Sequence, residues 1–204
     1  MAEQTLGAVP FPGFELLDVF GPLEAFGGLG GLFNVVTVAE RAGPVASAQR
    51  VRAVADHGLA DCPHLDVLLV PGGVGTREEV ENRTLLDWLA QRAAEAEIVT
   101  SVCTGAALLA RAGLLDGRRA TTNKAFFQWV ADQGPRVTWV KVARWVDDGK
   151  FVTSSGVSAG IDMALHVIAR THGREVSENV ARAMEYDWHT EADWDPFAKV
   201  WGLA

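Results

Sequence analysis

A cysteine at a predicted strand-to-helix turn is the side chain of this sequence best placed for chemistry. Cys103 follows the apolar run 98–102 and precedes Gly105 and Ala106, which let a helix pack closely behind a sharp turn. Such a turn projects the thiol above a sheet, beside helix N-terminal N–H groups that favour a thiolate. Cys103 is therefore a candidate nucleophile. The alternative is a buried, inert cysteine, since free cysteine is often fully buried.

An acid and a glycine pair could complete such a site. Asp18 lies between two apolar residues on a predicted helix, beside a Gly-Pro step, which is not a typical solvated position. Gly72 and Gly73 follow a short apolar run, where their N–H groups could face Cys103 and stabilise negative charge on a substrate. The spacing alone does not show whether Asp18 meets Cys103.

The elements that must position these residues alternate in type along the chain. Apolar runs predict strands at 6–11, 33–39, 66–70, 98–102, 137–145 and 150–153, with 49–54 as an edge strand or hairpin arm. Helical spacing predicts helices at 14–26, 84–94, 104–112, 125–132, 158–171 and 174–186. This alternation predicts an α/β fold with a mostly parallel sheet covered on both faces. The loop after the first strand, the glycine pair and Cys103 then fall at carboxyl ends of strands, where such sheets bind ligands.

Bulk properties narrow the class of protein. A length of 204 residues with 49% hydrophobic residues suits one domain, which we expect to span 1–204. The net charge of −8 argues against nucleic acid as a partner, because phosphates attract basic surfaces. No run approaches the roughly 18 apolar residues of a membrane span. We therefore expect neither a nucleic acid nor a membrane as partner.

The cysteine content and the N-terminal sequence indicate a compartment. Cys62 and Cys103 are the two cysteines of the sequence, which make neither a disulfide framework nor a metal cluster. Residues 1–14 contain no Lys or Arg and no long apolar segment, unlike a signal peptide. The sequence predicts a cytoplasmic protein that holds no metal.

Several ordered motifs together resemble the ThiJ/PfpI superfamily along nearly the whole chain. These motifs are Asp18-x-x-Gly21-Pro22-x-Glu24, Asp66-Val67-Leu68-Leu69-Val70-Pro71-Gly72-Gly73, Ser101-Val102-Cys103-Thr104-Gly105-Ala106, the segment 113–122, and the segment 155–162. The resemblance implies a flavodoxin-like three-layer α/β sandwich with a cysteine nucleophile elbow. It also implies a homodimer, an expectation that the large apolar residues of the first predicted helix support.

Within that superfamily, the combination of Asp18 with Cys103-Thr104 resembles the isonitrile hydratase branch. Relatives with protease or deglycase assignments usually carry Glu at the acid position, and many place His directly after the Cys. The resemblance implies a cysteine nucleophile at Cys103, an acid at Asp18, and oxyanion-type donors at the N–H groups of Gly73 and Thr104. It implies no cofactor. The chain departs from many relatives at Asn123-Lys124, where they carry His-Trp.

These observations support hydration of an isonitrile to an N-substituted formamide through a Cys103 thioimidate. Two alternatives stay open: another activity of the same thiol, such as glyoxalase, deglycase or amidase, and a redox-sensing or regulatory protein that uses Cys103 without turnover. If Asp18 meets Cys103, the two negative charges repel in a partly dry pocket. We then expect the proton on Asp18 and the charge on Cys103, with the two groups titrating as a pair.

Overall fold

The structure, a computed structural model, describes residues 3–204. Within that range the strands are β1 Gln4–Ala8, β2 Phe33–Ala39, β3 Gly43–Ala46, β4 Arg52–Ala55, β5 His57–Gly58, β6 Val67–Val70, β7 Ile98–Ser101, β8 Arg119–Ala120, β9 Thr138–Trp139, β10 Trp145–Asp148 and β11 Phe151–Ser154. The helices are α1 Leu16–Gly27, α2 Thr76–Glu79, α3 Arg83–Glu95, α4 Gly105–Arg111, α5 Phe127–Gln133, α6 Ala159–His172, α7 Arg174–Ala183 and α8 Pro196–Val200.

One mostly parallel sheet forms the middle of the molecule, in the order β10-β11-β7-β6-β1-β2-β5. All neighbouring pairs are parallel except the edge hairpin of β10 and β11, which is antiparallel. Helices flank the sheet in two groups. In one group α1 and α7 pack on α6, and in the other α3 and α5 pack on α4. The predicted fold class, a mostly parallel sheet between layers of helices, is confirmed.

The central strands are short and apolar because both of their faces are covered. Every residue of β6 and β7 is buried, and Leu68 and Leu69 are completely inaccessible to solvent. Burial of a leucine side chain stabilises the folded state by roughly 1.5–3 kcal/mol relative to exposure. The parallel register of β6 with β7 places Val70 beside Ser101, so both strands end at the same edge. The loops that follow them meet there.

The main difference from the predicted elements lies in the segment 137–145. The sequence predicts one continuous strand there, but the structure has β9 at its start, β10 beginning at its end, and no strand between them. Side chains donate hydrogen bonds to backbone carbonyl groups that would otherwise accept from a neighbouring strand. Thr121 Oγ1 donates to the Val140 carbonyl at 2.8 Å, and Lys124 Nζ donates to the Ala143 carbonyl at 2.7 Å. The prediction of a single strand is therefore wrong.

Other predicted boundaries shift by a few residues. The first strand occupies Gln4–Ala8 rather than 6–11, because its register with β2 begins at Gln4. The arm at 49–54 is the second strand of a hairpin, β4, which pairs antiparallel with β3. Within residues 3–204, no helix has both the length and the apolar character needed to cross a membrane.

Candidate active site

The strand-to-helix turn at Cys103 has a strained backbone. Cys103 has a φ of 56°, in the left-handed region that costs a non-glycine residue free energy. Hydrogen bonds hold it there: its N–H donates to the Ser155 carbonyl at 3.1 Å, and Thr122 Oγ1 donates to its carbonyl at 2.7 Å. These bonds come from the segments after β11 and after β8, so two other parts of the chain fix the conformation of this one residue.

Gly105 explains how α4 can begin so close to the sheet. A Cβ at this position would lie 2.4 Å from the Val70 carbonyl oxygen and 2.7 Å from that of Pro71. No side chain fits at these distances, so glycine is required for α4 to approach the end of β6. This close approach brings the first turn of α4 beside the glycine pair that follows β6.

Asp18 lies on α1 and is completely buried. Its Oδ2 accepts a hydrogen bond of 2.8 Å from the Gly72 N–H, whereas its Oδ1 has no hydrogen-bond partner among residues 3–204. The Cys103 thiol also interacts with this carboxyl group and lowers its pKa. The structure thus brings together Asp18, Gly72 and Cys103, which the spacing in the sequence could not show.

Burial raises the pKa of both members of the Asp18–Cys103 pair. It raises the pKa of Asp18 well above its ordinary value, and the Gly72 N–H only partly opposes this. Burial also raises the pKa of the Cys103 thiol, and the negative charge of Asp18 raises it further. Loss of solvation therefore opposes the thiolate that the helix N-terminus was expected to favour, whereas the raised pKa of Asp18 has the direction expected for that carboxyl group. The pair carries at most one negative charge near neutral pH.

Three donors surround the sulfur and favour its charged form. The N–H groups of Thr104 and Val157 and the side chain of Asn123 act as donors toward Cys103 and lower its pKa, against the larger effect of burial. Sequence reasoning identified Thr104 but not the other two as donors. Asn123 was visible only as a departure from the relatives' motif, and nothing in the sequence singles out Val157.

The predicted oxyanion donors are engaged within the protein. The Gly72 N–H donates to Asp18, and the Gly73 N–H donates to Thr104 Oγ1 at 3.0 Å. Thr76 Oγ1 donates to the Gly73 carbonyl at 2.7 Å and lies 3.2 Å from Thr104 Oγ1. These bonds fix the loop after β6 against the start of α4. A role for either glycine N–H as a donor to substrate stays a prediction.

A pocket of about 350 Å³ opens onto Cys103. Its lining comprises Glu15, Gly73, Val74, Arg77, Cys103, Thr104, Asn123, Phe126 and Val157. Cys103 lines the pocket, whereas Asp18 is completely buried and does not line it. Within residues 3–204, no cluster of three or more His, Cys, Asp or Glu side chains has the geometry of a metal site. The arrangement suits attack by sulfur on a small molecule, with a buried acid next to the thiol.

Residues 8–170 match the model of the DJ-1/PfpI family. The chain belongs to the DJ-1/PfpI family. An isonitrile hydratase from Pseudomonas putida is 36% identical over 181 residues, which cover 89% of this chain and 78% of that protein. The HTH-type transcriptional regulator GbdR from Pseudomonas aeruginosa is 31% identical over 189 residues, which cover 90% of this chain. The match covers 51% of GbdR, so this chain spans about half the length of the regulator.

Solved structures of the DJ-1/PfpI family share the fold. The crystal structure of a ThiJ/PfpI family protein from Pseudomonas syringae has a TM-score of 0.85 and 32% identity, covering 93% of this chain and 77% of that one. Drosophila melanogaster DJ-1beta has a TM-score of 0.80 at 21% identity, covering 92% of this chain and 100% of that one, a likeness of fold alone. The predicted family and its flavodoxin-like fold are confirmed, whereas the relatives include both an enzyme and regulators.

Proposed function

We propose that this protein hydrates a small isonitrile to the corresponding N-substituted formamide, with Cys103 as nucleophile and Asp18 as the proton carrier. The observation that carries the proposal is the fully buried Asp18 carboxyl group, which interacts with a strained cysteine that lines a pocket. Similarity to the isonitrile hydratase of Pseudomonas putida, at 36% identity, supports the same substrate class.

The first half of the proposed reaction forms a covalent intermediate. As the sulfur of Cys103 attacks the terminal isonitrile carbon, Asp18 accepts the thiol proton, since two charges do not coexist in the buried pair. The new C–S bond leaves an electron pair on that carbon, and Asp18 returns the proton to it. The product is a neutral thioimidate. The N–H groups of Thr104 and Val157 stabilise the sulfur while it carries charge.

The second half consumes water and restores the enzyme. The Asp18 carboxylate takes one proton from water as the hydroxyl oxygen bonds to the thioimidate carbon, and passes that proton to the substrate nitrogen. The hydroxyl group then gives its proton to Asp18 while the C–S bond breaks. The formamide leaves, and the Asp18–Cys103 pair again holds a single proton between them. No cofactor takes part in this sequence of steps.

The test is hydration of a panel of isonitriles, followed by the ultraviolet absorbance of the formamide. Turnover by the wild type should disappear in Cys103→Ala. Cys62→Ala is the matched control, because the Cys62 thiol donates to the Pro63 carbonyl and does not line the pocket. Formamide production by Cys103→Ala at the wild-type rate, or no production by the wild type, contradicts the proposal.

The similarity to GbdR favours a second candidate, a regulatory domain that senses a small molecule or an oxidant at Cys103 without turnover. In that case the protein should bind a ligand, or peroxide should oxidise the Cys103 thiol, and no isonitrile should be hydrated. Other thiol-dependent activities, such as glyoxalase, deglycase or amidase, would appear as turnover of a carbonyl substrate. Both cysteines are free, which fits the cytoplasmic location that we propose.

A further inference from the structure

An arginine at the mouth of the Cys103 pocket is held by two aromatic rings. Arg77 follows the first residue of α2, and its Cζ atom lies 3.4 Å from the centroid of the Trp129 ring and 5.0 Å from that of Phe126. Arginine is attracted to the faces of aromatic rings at such distances. The rings restrict where the guanidinium can lie, and it lines the same pocket as Cys103.

Arg77 has no acidic partner within the described part of the chain. Its backbone N–H donates to the Val74 carbonyl, but its side chain forms neither a hydrogen bond nor a salt bridge among residues 3–204, although Arg144 and Arg170 each pair with an aspartate. The pocket contains one acidic side chain, Glu15, and its carboxylate already accepts a hydrogen bond from Gln49 Nε2. The five N–H donors of the Arg77 guanidinium are therefore available to a ligand.

We propose that Arg77 is a specificity-determining residue that binds an anionic group, so that the preferred isonitrile carries a carboxylate. A planar guanidinium matches a carboxylate with two parallel hydrogen bonds. The whole molecule carries a net charge of −8, which repels anions, so this local positive charge must supply the attraction. The identity of the substrate as an isonitrile rests on the function proposed above, whereas anion selection at Cys103 does not.

Alkylation of Cys103 tests anion selection without any hydration. Iodoacetate and iodoacetamide both transfer a two-carbon unit to the sulfur with loss of iodide, but only iodoacetate is an anion. The ratio of their rates removes any effect of the thiol pKa. At low salt, Arg77→Gln should lower the ratio of the iodoacetate rate to the iodoacetamide rate by roughly three- to fivefold, since exposed charge pairs contribute up to about 1 kcal/mol, or about fivefold. Peptide mapping separates Cys103 from Cys62.

Three further variants make the test specific. Arg77→Lys should restore most of the ratio, because it keeps the charge, and Glu15→Gln should raise it. Arg118→Gln is the matched control, since Arg118 lies over the Phe151 ring at 4.6 Å but does not line the pocket. An unchanged ratio in Arg77→Gln, or an equal fall in Arg118→Gln, overturns the proposal. One molar salt should reduce the difference between wild type and Arg77→Gln.

Two isonitriles that differ in charge test whether Arg77 also selects the substrate during turnover. The wild type should show a lower KM for isocyanoacetate than for its neutral methyl ester, and Arg77→Gln should remove that difference while kcat changes little. Equal KM values in the wild type contradict a carboxylate-bearing substrate. If neither compound is hydrated, the proposed hydratase function fails, and the alkylation ratio alone decides whether Arg77 selects anions.

Discussion

At the scale of single residues, the site depends on a pair of groups that cannot both carry charge. Asp18 and Cys103 come from α1 and from the turn after β7, and burial raises the pKa of each. The negative charge of Asp18 is one cause of the raised thiol pKa, so ionisation of either group opposes ionisation of the other. The proposed mechanism assigns the first ionisation to Asp18, unlike the sequence-based expectation of a resting thiolate, so that Asp18 accepts the thiol proton during attack.

Asp18→Asn tests this order directly. The amide keeps an oxygen that can accept from the Gly72 N–H but carries no charge, so the pKa of Cys103 should fall relative to the wild type. Alkylation of Cys103 by iodoacetamide should therefore be faster at neutral pH, with its midpoint moved to lower pH. Hydration should drop by roughly 10²–10⁴-fold, because the proton carrier is lost. Full turnover, or a midpoint at higher pH, contradicts the mechanism.

At the scale of elements, much of the site could be predicted from the sequence because it follows parallel strands. The runs 66–70 and 98–102 predict β6 and β7, and parallel pairing brings their carboxyl ends together at Gly72 and Cys103. The remaining groups reach the site from distant loops. Asn123 and Val157 follow β8 and β11, and no local spacing relates either of them to Cys103. Arg77 lies on α2, a four-residue helix that sequence periodicity did not predict.

A buried lysine fixes the loop that carries Asn123. Lys124 Nζ donates to Thr121 Oγ1 at 2.8 Å and lies 3.5 Å from Asp195 Oδ2. Asp195 in turn accepts from the Phe197 N–H at 2.9 Å and caps α8. The C-terminal helix is thereby connected to the active-site loop. Burial disfavours the charged form of Lys124 and lowers its pKa to about 8.

This lowered pKa predicts a pH-dependent contribution to stability. Between pH 8 and the ordinary lysine pKa of about 10.4, the unfolded chain holds the Lys124 proton and the folded protein does not, so the free energy of unfolding rises with pH. Relative to Lys124→Met, the wild type should gain about 2 kcal/mol from pH 7 to pH 10. Urea unfolding of both proteins at the two pH values measures this gain.

Lys141→Met provides the control for the loss of a positive charge, because Lys141 is exposed on the surface. Its unfolding free energy should stay at a constant offset from the wild type between pH 7 and pH 10. A constant offset for Lys124→Met as well would mean that Lys124 titrates alike in the folded and unfolded states.

At the scale of the whole molecule, an apolar patch lies beside the active site. Leu17 and Phe20 of α1 are 40% and 44% exposed, and Val51 in the loop before β4 is 53% exposed. These three side chains line one open surface depression together with Glu15, which also lines the Cys103 pocket. Large apolar side chains gathered at one place on a surface indicate a protein interface. We propose that a second copy of the chain covers this patch, as in a two-fold symmetric dimer.

The predicted dimer is measured by light scattering at micromolar concentration. The wild type should have about twice the chain mass of 21.9 kDa. Phe20→Asp should give the monomer, because burial of a charge in an apolar interface is unfavourable. Val54→Asp changes an exposed apolar residue of β4 that does not line the patch, and should leave the dimer intact. A wild-type mass of 21.9 kDa contradicts the dimer. If Phe20→Asp stays dimeric, the interface does not include this part of α1.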